Sequence, residues 1–213
     1  MSSLDLSPDE LNDLTRRVKK QLRSRMRGTR RALPSGAVSA RSARIIEALN
    51  GIEAFRRADA VGLFWPIEGH GEVDLRALDR ELDERGVARY YPFMDPKGEG
   101  EGYSTGFRRI EEPRELMLRG QKFAEPPRDA KVAARGDVDV VLVPALAATP
   151  DGHRLGHGVG FYDATLPDLT PPALTIIVGF SFQLLAELPL EPHDFACDAV
   201  VTDREIIDPR GRL

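Results

Sequence analysis

Val138-Asp139-Val140-Val141-Leu142-Val143, running into Pro144, is the stretch on which the reading of this chain turns. Apart from Asp139 it is apolar at every position, without the alternation of a half-exposed strand. A strand of that kind must be covered on both faces, as the central strand of a sheet lying between helices is. Other short apolar runs sit around it. Ala60-Val61-Gly62-Leu63-Phe64 reads as a buried strand, Val87 to Phe93 as another closed by the Asp95 to Gly102 turn region, and Ala173 to Val178 and Ala199 to Val201 as two more. Helical periodicity falls between them, at Ala37 to Phe55 with Val38, Ala43, Ile46, Leu49 and Ile52 as core candidates, and at Asp74 to Arg85. The middle reads as a strand over Tyr103 to Ile110, a helical turn over Pro113 to Arg119 and an irregular connection at Pro126-Pro127. Strands alternating with helices predict an α/β fold, a largely parallel sheet flanked by helices.

Toward the N-terminus, Ser7-Pro8-Asp9-Glu10 supplies a helix cap, a proline for the first turn and a glutamate three residues after the serine. Leu11, Leu14, Val18, Leu22 and Met26 then form an apolar stripe expected to face the core, with Pro34 and Gly36 ending the helix. Lys19, Arg23, Arg27 and Arg31 recur every four residues on another face. Nine Lys or Arg and no acid lie between Arg16 and Arg31, in a chain whose net charge is -4. Such a face serves a small polyphosphate or an RNA, or is simply solvated, and the solvated reading is the default.

The 213 residues suit one sizeable core, and 41% apolar with 30% charged residues is an ordinary globular balance. No run of about 18 apolar residues could span a bilayer. The opening MSSLDLSPDE lacks the basic and apolar regions of an export signal, so the cytoplasm is expected. Cys197 is the single cysteine, which rules out an internal disulfide and reads as a small buried residue. With four scattered histidines it offers no structural zinc set.

Downstream of the central strand stands Arg154-Leu-Gly-His-Gly-Val-Gly-Phe-Tyr-Asp163, with glycines at 156, 158 and 160. Glycines let backbone amides approach a ligand, so such a turn between strand and helix can cradle phosphate oxygens. Arg154 and His157 add positive charge, and Asp163 offers a hard oxygen suited to magnesium. It is neither a Walker loop nor a dinucleotide fingerprint. On spacing alone, a phosphate cradle and a flexible turn over a buried Tyr162 stand equal. After the first strand, Trp65-Pro-Ile-Glu-Gly-His-Gly-Glu-Val-Asp74 places an aromatic and several carboxylates where α/β sheets bind ligands. Glu72 reads there either as a ligand group or as a helix N-terminal carboxylate, with Asp74 the better cap. Asp194, in Pro192-His193-Asp194, could join Asp163 in a metal site.

Together these segments resemble the 5-formyltetrahydrofolate cyclo-ligase family over nearly the whole chain. The likeness is carried by Lys19-Lys-Gln-Leu-Arg23, Glu72-Val-Asp74, Phe123-Ala-Glu-Pro126, Val143-Pro144, the Arg154 to Asp163 loop, Val178-Gly-Phe180 with Gln183, His193-Asp194 and Val200-Val-Thr202, in that order. The resemblance implies an α/β sandwich similar to the sugar-phosphate isomerase and CoA-transferase type, one domain over residues 1–213 with residues 1–33 as a basic helix packed on the core. It implies ATP- and magnesium-dependent conversion of 5-formyltetrahydrofolate to 5,10-methenyltetrahydrofolate, with ATP and a reduced folate as partners rather than nucleic acid or membrane. By motif position Lys19, Lys20 and Arg23 would bind ATP together with Arg154, Leu155, Gly156, His157, Gly158, Val159, Gly160, Phe161 and Tyr162. Arg154 and Tyr162 would be catalytic, Glu72, Trp65, Ile67 and Tyr162 would meet the folate, and Asp163 and Asp194 would hold magnesium. The chain departs from the family pattern at His157, Val159 and Ala164 and carries an apparent two-residue insertion around Gly69-His70. These departures keep open a paralogue that binds nucleotide or folate without this turnover.

Overall fold

The computed structural model describes residues 7–119 and 123–213, so the expectation of a leaderless start falls largely on residues outside those described. Its main sheet contains β1 (Ala60–Gly62), β2 (Ala88–Pro96), β3 (Tyr103–Ile110), β6 (Val140–Pro144), β9 (Leu174–Val178), β10 (Ala199–Val201) and β11 (Ile206–Ile207). Their order is β11-β10-β9-β6-β1-β2-β3, and the five inner strands pair in parallel. The two edges, β3 on β2 and β11 on β10, are antiparallel. The expected α/β class holds, and β6 is the middle strand of the seven.

Burial on both faces explains the unbroken apolarity of β6. Val140 and Leu142 join the cluster beneath α2 (Ser35–Gly51), α3 (Glu53–Arg56) and α4 (Arg76–Glu84), where Ile45, Leu49, Phe55 and Leu78 are wholly enclosed. Val141 and Val143 point the other way, to the cluster containing Leu166 and Leu169 of α5 (Phe161–Leu169). The polar exception also has a task. Asp139 accepts hydrogen bonds from the amides of Asp59 (2.8 Å) and Ala60 (3.0 Å), fixing where β1 starts beside its neighbour.

Several local expectations shift. The long second helix breaks at Ile52, whose extended backbone separates α2 from α3, and Gly36 lies inside α2 rather than ending its predecessor. Ala43 is exposed, and Ile45 takes the core position expected of it. Pro113–Glu115 forms one 3-10 turn, followed by a two-stranded ribbon of β4 (Met117–Leu118) and β5 (Ala124–Glu125).

The largest correction concerns α1 (Pro8–Arg31), which begins with the expected capping box between Ser7 and Glu10. Leu11, Leu14 and Val18 are exposed, whereas Lys19 and Arg30 are buried with Met26 between them. The helix turns the face bearing its cations inward, because acidic and carbonyl groups wait there. No helix among the described residues is long and apolar enough to cross a membrane.

Two substitutions probe this account of the central strand. Leu142→Ala, at a fully buried position, is expected to cost about 2–5 kcal/mol. Asp139→Ala is expected to cost about 1.5 kcal/mol through two orphaned amides. Urea denaturation reads both, and an Asp139→Ala protein as stable as the parent would remove Asp139 from the account of β1.

Candidate active site

A cavity of about 840 Å³ opens outside the carboxyl ends of the parallel strands. Phe64 and Trp65, just past β1, line it together with Pro144 at the end of β6. The chain leaves β1 toward β2 on one side and returns to β6 on the other, so this is the point at which the strand order reverses, a preferred place for ligands in open sheets.

Helix α1 closes the basic side. The Lys19 ammonium donates to Glu191 Oε2 (2.7 Å) and Asp194 Oδ2 (2.6 Å) and is almost wholly buried. Lys19 holds the Glu191 carboxyl below its ordinary value. At Asp194 burial pushes upward, but the bonds from Lys19 and from the Glu191 amide prevail and hold it low. Further along, Arg23 Nε donates to the Gly156 carbonyl (3.1 Å) and Arg27 Nη2 to the His157 carbonyl (2.9 Å). The four-residue basic row therefore lies over the glycine loop, and Lys19, Arg23, Arg27 and Arg31 all line the cavity. Lys20, expected beside Lys19 on the nucleotide, is exposed and is not among the lining residues. One step around a helix turns a side chain by about 100°.

The loop itself is well anchored. β7 (Ala147–Ala148) and β8 (Arg154–Leu155) form a ribbon leading into it. Gly152, at φ +91°, packs directly on the Cys197 carbonyl, and its own carbonyl accepts from the Cys197 amide (2.8 Å). Only glycine suits both the backbone and the space. The loop then enters α5 through Gly160 at φ +76°, and no side chain caps that helix. Among the described residues the amides of 156–160 have no hydrogen-bond acceptor, leaving a run of donors and a helix N-terminus on the cavity.

Arg154 is buried and committed. Its Nη2 donates to Asp163 Oδ1 (2.9 Å) and its Nη1 to the Phe195 carbonyl (2.8 Å), while the Phe195 amide donates to the same Asp163 oxygen (3.1 Å). Asp163 and Asp194 both line the cavity, but each is already paired with a cation, Arg154 and Lys19 respectively. Glu191 and His193 stand beside Asp194. The Tyr162 ring sits 5.6 Å from the Arg154 guanidinium, and desolvation pushes its phenol far above the ordinary range, so it stays protonated. Cys197 is enclosed as expected, and burial pushes its thiol up to about 11, which leaves it unreactive.

Glu72 is buried where α1 and the glycine loop meet. Its Oε1 accepts from Arg30 Nη2 (3.0 Å) and faces His157 Nε2 (3.2 Å), and its Oε2 accepts from the Ile67 amide (2.8 Å). Burial alone would raise its carboxyl, but the His157 bond, the Arg30 charge and the Ile67 amide together hold it below the ordinary value. It is thus not the helix N-terminal carboxylate of the alternative reading. Asp74 does accept from the Arg76 amide at the start of α4 (3.0 Å). Trp65 and Ile67 line the cavity, together with the apolar side chains of Phe64, Pro92, Met94, Phe123 and Phe161. His70, from the apparent insertion, stacks on His157 with ring centroids 6.3 Å apart.

Sequence reasoning did not assign Arg27, Arg30, Arg31, His70, Glu191 or His193 to the site. The four-residue spacing already linked Arg27 and Arg31 to Lys19. His193 and His70 lay in segments singled out for other residues, while Arg30 and Glu191 had no signal, their partners Glu72 and Lys19 lying far along the chain.

A profile described as the 5-formyltetrahydrofolate cyclo-ligase family matches residues 15–203. The chain belongs to the 5-formyltetrahydrofolate cyclo-ligase family. It is similar to the 5-formyltetrahydrofolate cyclo-ligase of Escherichia coli K12, at 32% identity over 156 residues, covering 70% of this chain and 80% of that protein. It is also similar to that of Mycolicibacterium smegmatis, at 46% identity over 79 residues, covering 37% of this chain and 41% of that one. In three dimensions it resembles the 5,10-methenyltetrahydrofolate synthetase of Aquifex aeolicus, with a TM-score of 0.77 and 28% identity over 91% of this chain and 93% of that one.

Two expectations follow from the anchoring. Gly152→Ala should destabilise the cyclo-ligase by at least about 2 kcal/mol, since the left-handed backbone and the collision add. Gly86→Ala, also at positive φ but facing open space, should cost less; equal losses in thermal unfolding would show that the Cys197 contact is immaterial. Because Glu72 is held low in the fold, its contribution is complete at neutral pH. That contribution is lost as the pH falls from the ordinary glutamate value through the depressed one. Acid unfolding of Glu72→Gln should lack that portion of the pH dependence.

Proposed function

We propose that the cavity seats ATP at its basic end and 5-formyltetrahydrofolate at its apolar end, with Glu72 at the folate. The family's reaction is the conversion of 5-formyltetrahydrofolate to 5,10-methenyltetrahydrofolate. The observation that carries the assignment of its two halves is the polarity of one continuous cavity. Its lining is of two kinds: loop amides that have no acceptor among the described residues together with the α1 cations, and the apolar side chains of Phe64, Trp65, Ile67, Met94 and Phe123. A triphosphate matches the first lining and a flat pterin the second.

In the proposed reaction the terminal phosphoryl group of ATP moves to the formyl oxygen, releasing ADP. The neighbouring folate nitrogen then closes the ring on the formyl carbon, and the carbon–oxygen bond breaks with loss of inorganic phosphate. Phosphorylation turns a poor leaving oxygen into a good one, so the protein's work is positioning and charge neutralisation. Arg23 and Arg27 hold the loop through its carbonyls and keep further N–H groups for phosphate oxygens. Arg154 orients Asp163 and places a fixed positive charge behind Tyr162. The protonated Tyr162 phenol is a donor for an oxygen that gains charge.

The donor set also fits magnesium, a hard cation usually held by one or two carboxylates plus phosphate oxygens. Asp194 would hold it with Glu191, whose ligand atoms lie with that of His193 within 4.8 Å of one another; Asp163 lines the same cavity but is not part of that group, and would meet the ion through its oxygen not engaged by Arg154. Bound there, the ion would neutralise phosphate charge during transfer. Chemistry that consumes ATP and a reduced folate accords with a cytoplasmic enzyme.

The test is the near-ultraviolet absorbance of methenyltetrahydrofolate. With ATP, magnesium and substrate, absorbance should rise, and Asp163→Ala should abolish the rise. Arg23→Ala should raise the KM for ATP roughly tenfold, the loss of one charge-assisted hydrogen bond. Parental kinetics in both variants would refute the placement of ATP, and folate binding without any turnover would favour a redirected paralogue.

A further inference from the structure

Glu72 has three donors for its two oxygens: Arg30 and His157 on Oε1 and the Ile67 amide on Oε2. An ionised carboxylate offers about four acceptor positions. A pterin presents adjacent ring and amino N–H groups, and a carboxylate grips such a pair by offering one acceptor on each oxygen. With Oε1 doubly engaged, one of its partners must leave before the pair can bind. Arg30 is not the one to move, because its side chain is 3% exposed and its Nε is also held by the His70 carbonyl (2.8 Å). His157 is different. Its side chain is a third exposed and belongs to the glycine loop that faces the phosphates.

We propose that His157 is a positioning residue that gates Glu72: in the observed loop arrangement it withholds the folate acceptor, and nucleotide phosphates release it. This rests on the assignment of Glu72 to folate and of the glycine loop to ATP. Glu72 is ionised, so the facing Nε2 carries the proton. Phosphate oxygens on the loop amides give that N–H a more highly charged acceptor within reach of the same side chain. Leaving the carboxylate for the phosphate costs His157 no hydrogen bond, and it frees a lone pair on Oε1 toward the cavity. Arg30 remains, so Glu72 stays charged and fixed in direction. His70 supports the arrangement from behind, stacked on His157 and contacted by Arg31 at 3.1 Å. The gate makes tight folate binding conditional on bound nucleotide.

The inference gives a sign that simple support of Glu72 by His157 does not. Calorimetric titration of the full chain with 5-formyltetrahydrofolate is run with and without magnesium and a non-hydrolysable ATP analogue. The parent should bind folate roughly tenfold more tightly with the analogue, about 1.4 kcal/mol of coupling. His157→Ala should bind folate more tightly than the parent without the analogue, and the analogue should then have no further effect. His157→Gln keeps a side-chain N–H donor and should restore the dependence. Weaker folate binding by His157→Ala, or an undiminished effect of the analogue, overturns the gate. If Glu72→Ala leaves folate affinity unchanged, the assignment of Glu72 has failed and the gate fails with it. If Glu72→Ala weakens binding while His157→Ala keeps the coupling, only the gate is wrong.

Discussion

The pairing of α1's buried cations with acids from distant loops is the interaction on which the rest of the site depends. Lys19 meets Glu191 and Asp194, and Arg30 meets Glu72. Eleven residues of helix separate the two cations, roughly 16 Å along the axis. A buried charge stripped of its partner costs about 3–5 kcal/mol. The helix therefore cannot leave its seat without stranding acids at both ends of the cavity, and neither loop can rearrange without stranding a cation. This mutual dependence lays the basic row across the glycine loop and gives the cavity its roof.

Beneath that roof the sheet supplies rigidity. β6, packed on both faces, ends at Pro144 in the cavity wall, and the ribbon of β7 and β8 carries the chain on into the glycine loop. Gly152 on Cys197 and the Asp163 bonds to Arg154 and Phe195 tie that loop to the segment preceding β10. Groups from the two ends of the chain thus meet over the middle of the sheet. The cost is that few of these groups are idle. Arg154, Asp194, Lys19 and Glu72 are each bound to another protein group, so ligands must compete for them or use their remaining donors and lone pairs.

How far the site could be read in advance varied with the distance over which each residue's partner lies. The glycine loop was legible because three alternating glycines after a strand constrain the backbone locally. Lys19, Arg23, Arg27 and Arg31 were legible as a row, but spacing alone favoured water on that face and the core on the leucine face. The structure divides both: Leu11, Leu14 and Val18 face out while Leu22 and Met26 pack in a core cluster, and Lys19 is buried while Arg31 is exposed. Helical periodicity measures which residues share a face, and only the surroundings decide which face is covered. Lys20 was drawn in by its neighbour in a motif, yet helical rotation turns it away. Arg30 had no signal of its own, since its partner lies 42 positions along the chain.

The sequence by itself determined the elements and their class. Apolar runs without alternation require strands covered on both sides, Ser7 with Glu10 starts a helix, and glycine at 152, 158 and 160 permits backbone that other residues resist. These are consequences of short-range sterics and of hiding apolar surface from water. Tertiary structure alone decided the strand order that opens a cavity between β1 and β6, the inward turn of α1's cations, and the meeting of His157 with Glu72. Each depends on groups far apart in the chain, whose pairing is favourable only after the sheet has brought them together away from solvent.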